Sequence, residues 1–140
     1  MVKAIWLLKR RSDMSPADFH AYWREKHGPL FCNTSAAQRY VVRYEQNHAT
    51  PENAAISDDF DGASVMWFRS IADMEAMYAD PDFQNVVMAD GANFVDRTAT
   101  KRLLCARGGS RRSRAGGGEI LPRHADRRRW FGRRQRPPPR

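Results

Sequence analysis

Every methionine, tyrosine and valine of this chain lies before residue 107, and the last 34 residues offer only Ile120, Leu121, Trp130 and Phe131 as large apolar side chains. A hydrophobic core can therefore be built from the first three quarters of the sequence alone. Residues 1–106 suffice for one self-supporting domain, although domains of this size bury a modest share of their unfolded surface and often gain stability by oligomerising. Charge divides at the same point. The chain is +8 overall, yet residues 1–106 carry 12 Lys and Arg against 14 Asp and Glu, while residues 107–140 carry 12 Arg against Glu119 and Asp126. The basic character that would suggest a nucleic-acid or membrane surface thus belongs to a segment rich in Gly, Arg, Ser and Pro without a period of 2 or 3.6. That segment, 107–140, is expected to be a disordered tail to a domain spanning 1–106. No apolar run reaches the roughly 20 residues that span a bilayer. Cys32 and Cys105 are isolated thiols, and no signal-peptide pattern opens the chain, so a reducing, cytoplasmic setting is expected.

Within the first part, apolar periodicity alternates between the two regular structures. Val2 to Lys9 reads as a strand with both faces covered. Ser15-Pro16-Ala17-Asp18 supplies a capping hydroxyl, a proline at the first helical position and a carboxylate near the positive helix end. The helix carries Phe19, Tyr22 and Trp23 on one stripe and is expected to stop at Gly28-Pro29, leaving His27 at its exit. Gln38 to His48 reads as a second strand, with Tyr40, Val42, Tyr44, Gln46 and His48 on one side of the pleat. Ala63 to Arg69 makes a third, Ser70 caps a second helix that restarts after Asp80-Pro81 with Phe83, Val86 and Val87, and Thr98 to Cys105 makes a fourth strand. The order β-α-β-β-α-β predicts an α+β, ferredoxin-like antiparallel sheet with two helices on one face. Trp6, Leu8, Val65, Met66, Trp67 and Phe68 make both sheet faces apolar. A second copy laid face to face is the simplest cover, giving a dimeric α/β barrel with a pocket on each side.

The V-K-A-I-W-L-L-K-R-R strand, S-P-A-D-F-H-A-Y-W-R-E-K-H-G-P-L from Ser15 to Leu30, and the Y-V-V-R-Y-E-Q-N-H, D-G-A-S-V-M-W-F and D-R-T-A-T-K-R-L-L stretches together resemble the EthD family of the dimeric α/β-barrel superfamily. The similarity covers residues 2–105 and is most specific at Tyr22 to Leu30. It implies a homodimer with a ligand cleft beside the sheet, in a family described as oxidoreductase-associated, some fungal members being dehydratases of aromatic polyketide pathways. The family's recurrent His-Gly-Pro falls on His27, which becomes the candidate proton shuttle; its alternative role is to cap the helix by bonding a carbonyl. Trp23, Tyr40, Tyr44, His48 and Trp67 are the candidate substrate-binding side chains, for stacking and hydrogen bonding an aromatic or ketone metabolite. Parity leaves open whether the Tyr40, Tyr44 and His48 row faces a cleft or the helices. His20 is expected to be exposed and without a role.

No metal site and no cofactor are expected, because no His, Cys or carboxylate pair has the spacing of a ligand motif and no glycine-rich phosphate loop occurs. The reading is a small cofactor-free catalyst, dehydratase-like, isomerase-like or oxidoreductase-associated, acting on a hydrophobic or aromatic metabolite. A non-catalytic ligand-binding accessory of an oxygenase is the alternative. An RNA-binding module shares the element order, but Asp61-Gly62-Ala63-Ser64-Val65-Met66-Trp67-Phe68 lacks the basic residue and the stacking aromatics of the recognition signature.

Overall fold

The computed structural model describes residues 1–50, 52 and 59–106; the expected tail and most of the loop after the second strand lie outside the described residues. Four strands, β1 (Val2–Leu8), β2 (Val41–His48), β3 (Gly62–Phe68) and β4 (Lys101–Ala106), form one antiparallel sheet in the order β2-β3-β1-β4. This is the ferredoxin-like arrangement that the element order implies, with the helical segments inserted after β1 and after β3.

The first helical stretch begins as its sequence dictates. Ser15 Oγ accepts from the Asp18 amide at 3.1 Å and Pro16 occupies the first turn of α1 (Pro16–Tyr22). It does not end at Gly28-Pro29, however. A π-helical turn over Trp23–His27 lets the Gly28 amide bond the Trp23 carbonyl, and α2 (Gly28–Cys32) follows with Pro29 in its first turn, where a missing N–H costs nothing. The proline therefore restarts the helix after a change of register, and His27 sits inside a continuous helical stretch.

A second departure lies at the start of β2. Thr34 Oγ1 accepts from the Ala37 amide and opens a short helix, α3 (Ser35–Tyr40), so the strand begins at Val41 and Tyr40 is helical. A bulge between Val41 and Arg43 then resets the alternation. Beyond it Tyr44, Gln46 and His48 stand opposite Met66, Ser64 and Gly62, while Val42 is exposed.

After β3, Ser70 Oγ caps α4 (Ile71–Ala79), and a π-helical turn over Phe83–Met88 leads into α5 (Ala89–Gly91). β4 starts at Lys101, because residues 96–100 form a turn held by Asp96. No helix among the described residues is long and apolar enough to cross a membrane.

Two buried clusters fill the space between sheet and helices. One joins Ala4, Met66 and Phe68 of the sheet to Phe31, Met77 and Phe83; the other joins Leu8 to Phe19, Trp23 and Phe94. Trp6 packs against both. The opposite sheet face carries Ile5, Leu7, Val65 and Trp67, half-buried, and an exposed Leu103.

Candidate functional site

Between the two clusters lies a cavity of about 250 Å³, on the helix side of the sheet. Its floor is Trp6, Leu8, Ser64 and Met66, its roof Trp23, Phe31, Phe83 and Phe94, and His27, Tyr44, Arg97 and Thr100 are polar residues of the same lining. The two open possibilities for the Tyr44 row therefore coincide, since this row faces the helices and the helix side holds the cleft.

His27 enters the wall at the end of the π-helical turn, its ring 4.7 Å from that of Phe94. Its Nδ1 lies 2.7 Å from Asp90 Oδ2. Asp90, in α5, also accepts from the Tyr22 hydroxyl at 2.7 Å and the Asn93 amide at 3.1 Å on its other oxygen. Burial lowers the His27 pKa by more than the hydrogen bond and charge of Asp90 raise it. Against the cost of burial, hydrogen bonds from Tyr22, His27 and Asn93 hold Asp90 below the usual carboxylate range. Both directions agree on one state, a neutral imidazole donating Nδ1–H to an ionised carboxylate. Nε2 then carries a lone pair and has no partner among the described residues. Because α2 continues the helical stretch past His27, the ring does not sit at a helix C-terminus, where the backbone dipole would favour its protonated form.

Across the cavity a second network fixes Tyr44. Gln46 Nε2 donates to the Trp23 carbonyl and to the Tyr44 hydroxyl, each at 3.0 Å, and Trp23 Nε1 donates to the same hydroxyl at 3.3 Å. With two N–H groups on its oxygen, Tyr44 keeps only its own proton to offer. Burial, outweighing those two bonds, raises its pKa and keeps it a phenol. The Gln46 amide oxygen accepts from His48 Nε2 at 3.0 Å, which leaves His48 Nδ1 to accept from His20 Nδ1 at 2.8 Å. His48 is pushed down to about 4 by burial, the neighbouring His20 and Arg24.

Two glycines are required by these approaches. A Cβ on Gly28 would meet Gln46 Nε2 at 2.6 Å, and one on Gly62 would meet the Asn47 carbonyl at 2.6 Å and the Trp23 ring at 2.7 Å.

Of the side chains singled out from sequence, Trp23, His27 and Tyr44 meet in the cavity wall. His48 packs against Trp23 with ring centroids 4.4 Å apart and the planes tilted by 46°, but both its nitrogens are spent on His20 and Gln46, so it braces the wall instead of lining it. Tyr40 packs beside the core with Arg39 over its ring, and Trp67 lies on the far sheet face beneath Lys3 and Arg43. Neither lines the cavity. His20 is half-buried and bonded, contrary to its expected exposure. Asp90, Tyr22, Asn93 and Gln46 went unassigned as site residues; the signal for Asp90 was a carboxylate, glycine and amide set between apolar residues in Met88-Ala89-Asp90-Gly91-Ala92-Asn93-Phe94. Among the described residues, no group of three His, Cys, Asp or Glu side chains is placed to hold a metal ion.

Comparison with known proteins agrees with this architecture. Among solved structures, a dimeric ferredoxin-like protein of unknown function from Thermobifida fusca superposes with a TM-score of 0.57 at 17% identity, covering 76% of this chain and 90% of the other. SnoaB, a cofactor-independent oxygenase from Streptomyces nogalater in its N63A form, superposes at 0.54 with 12% identity, covering 78% and 94%. At these identities the likeness is one of fold. In sequence, the dehydratase CTB10 of Cercospora beticola is 24% identical over 106 residues, which is 68% of this chain and 80% of that protein. The EthD domain matches residues 11–98, more than half of the chain, and the chain belongs to the EthD domain family.

Proposed function

We propose that this domain is a cofactor-free proton-transfer catalyst, dehydratase-like in its chemistry, acting on an apolar or aromatic carbonyl compound in the cavity between sheet and helices. The observation that carries the reading is His27, whose Nδ1 is bound to Asp90 at 2.7 Å while Nε2 is left as the base in a mostly apolar wall. In a dehydration, Nε2 would take a proton from the carbon beside the carbonyl. The C–H electron pair becomes the new double bond as the β-hydroxyl leaves, and the proton returns from His27 to that hydroxyl to release water. Charge developing on the carbonyl oxygen is met by the Tyr44 O–H, a donor already oriented by Trp23 and Gln46. The CTB10 similarity supports this class of reaction. A ligand-carrying accessory of an oxygenase system is the alternative.

Two structural proposals accompany it. The apolar face of Ile5, Leu7, Val65, Trp67 and Leu103 is covered by a second copy, as the dimeric description of the Thermobifida protein supports, and Trp67→Asp is expected to yield monomers in analytical ultracentrifugation. The folding unit is residues 1–106 in a cytoplasmic setting, so deleting 107–140 should leave the melting temperature and association state unchanged.

The catalytic reading is tested with 2-tetralone in D2O, following loss of its α-protons by NMR. The wild type should accelerate exchange, and His27→Ala should return it to the buffer rate. An accessory would bind the ketone without accelerating exchange, and equal rates for the wild type and His27→Ala would remove His27 from the chemistry.

A further inference from the structure

The polar groups left over in the cavity wall are mostly donors. Tyr44 has both acceptor positions filled and only its proton to give. Thr100 Oγ1 accepts from the Lys9 amide at 3.1 Å, leaving its hydroxyl proton. Arg97 lines the same cavity from the turn before β4 and, being exposed, marks its mouth. Among the described residues its guanidinium has no hydrogen-bond, ion-pair or ring partner. Among the described residues no carboxylate is paired with it. Asp96, its chain neighbour, spends Oδ1 on the Thr98 amide, the Thr98 hydroxyl and the Ala99 amide. Asp90 holds His27, Tyr22 and Asn93, and Asp61 holds Arg10 and Lys9. The turn itself is anchored, with the Asp96 amide on the Lys9 carbonyl at 2.8 Å and the Thr100 amide on the Asp96 carbonyl at 2.9 Å. The Arg97 backbone is therefore held beside the opening.

We propose that the cavity takes an anionic ligand, an apolar aromatic carboxylic acid, and that Arg97 binds its carboxylate at the mouth while Thr100 donates a further hydrogen bond. Guanidinium and carboxylate match as planar, charge-assisted partners, and the apolar interior accepts the ring system. This names the substrate class for the site described above. It rests on that cavity being the ligand site, but not on proton transfer by His27.

The test compares 2-naphthoate with its neutral counterpart 2-naphthamide by isothermal titration calorimetry at pH 7.5, using the full chain. Naphthoate should bind about tenfold more tightly or better, the order expected of a charge-assisted pair at a partly open site. Arg97→Gln should remove that preference with little effect on naphthamide, Arg97→Lys should restore part of it, and raised salt should narrow it. Because Arg97 is exposed, all three proteins should melt alike. Equal affinities in the wild type, a preference that survives Arg97→Gln, or no binding of either probe would each overturn the proposal. The two readings fail separately: a wild-type naphthoate preference that is lost in Arg97→Gln sustains this proposal whether or not the wild type exchanges 2-tetralone protons.

Discussion

His27 and His48 are both held below the ordinary imidazole pKa, and they differ in what occupies their ring nitrogens. His27 has a carboxylate on Nδ1 and nothing on Nε2 among the described residues; His48 has an imidazole on one nitrogen and an amide on the other. Burial favours the neutral form of both, but only the first arrangement leaves an unbonded ring nitrogen on a residue that lines the cavity. The second consumes His48 entirely and passes its order through Gln46 to the Tyr44 hydroxyl. The more buried imidazole is thus the one proposed as a base, and the more exposed one, bonded through both nitrogens, is a brace.

The sharpest way to break this contrast is Asp90→Asn. A side chain of the same size lets Nδ1 lose its obligatory acceptor, so the wrong tautomer becomes available and 2-tetralone exchange is expected to fall by roughly 10²–10⁴, with far less effect on folding. His48→Gln should lower it tenfold at most, and comparable losses from the two variants would erase the distinction. Tyr44→Phe comes next. Exchange should drop by about 10²-fold for want of the donor. Chemical denaturation should show a loss of about 1–2 kcal/mol, since Trp23 and Gln46 keep N–H groups without their acceptor. Smaller again is Gly28→Ala, which gains helix propensity of about 1 kcal/mol but forces the Gln46 amide away from Trp23. Net stability should change by about 1 kcal/mol or less, while NMR shifts of His48 move and those of His27 stay.

The weakest expected effect is a pH dependence of the melting temperature that belongs to the brace. The His48 pKa is lowered in the fold from 6.5 to about 4, so above 6.5 neither folded nor unfolded state is protonated there. As pH falls from 6.5 toward 4 the unfolded chain takes up the proton first, and stability declines through that window. The half-exposed ring limits the loss to about 1 kcal/mol. His48→Gln should flatten the profile partially, the remainder coming from His27 and His20, whose pKa values are shifted in the same direction.

How far such features can be read from residues alone depends on whether their cause is local. The Ser15 cap, the apolar stripe through Phe19 and Trp23, and the alternation of β3 are local, and they are observed as the sequence implies. The start of β2 is not, since a Thr34 cap competes with β-branched residues that begin only at Val41, and a bulge then decouples Tyr40 and Val42 from Tyr44. Gly28-Pro29 reads as a stop because the π-helical turn that accommodates it has no composition signal. His27 was legible from the Tyr22 to Leu30 motif, whereas its partner Asp90 is 63 residues away and is placed by the packing of α5. Trp67 is the converse case. Its aromatic ring suited a pocket, but strand parity put it on the far face.

The central claim concerns the state of one ring, and ¹⁵N-resolved NMR of histidine-labelled protein reads that state directly. His27 should show a protonated Nδ1 and an unprotonated Nε2 at pH 7, and should titrate below the ordinary imidazole value. An Nε2–H tautomer, or an imidazolium at pH 7, would contradict the assignment of His27 as the base of this cavity.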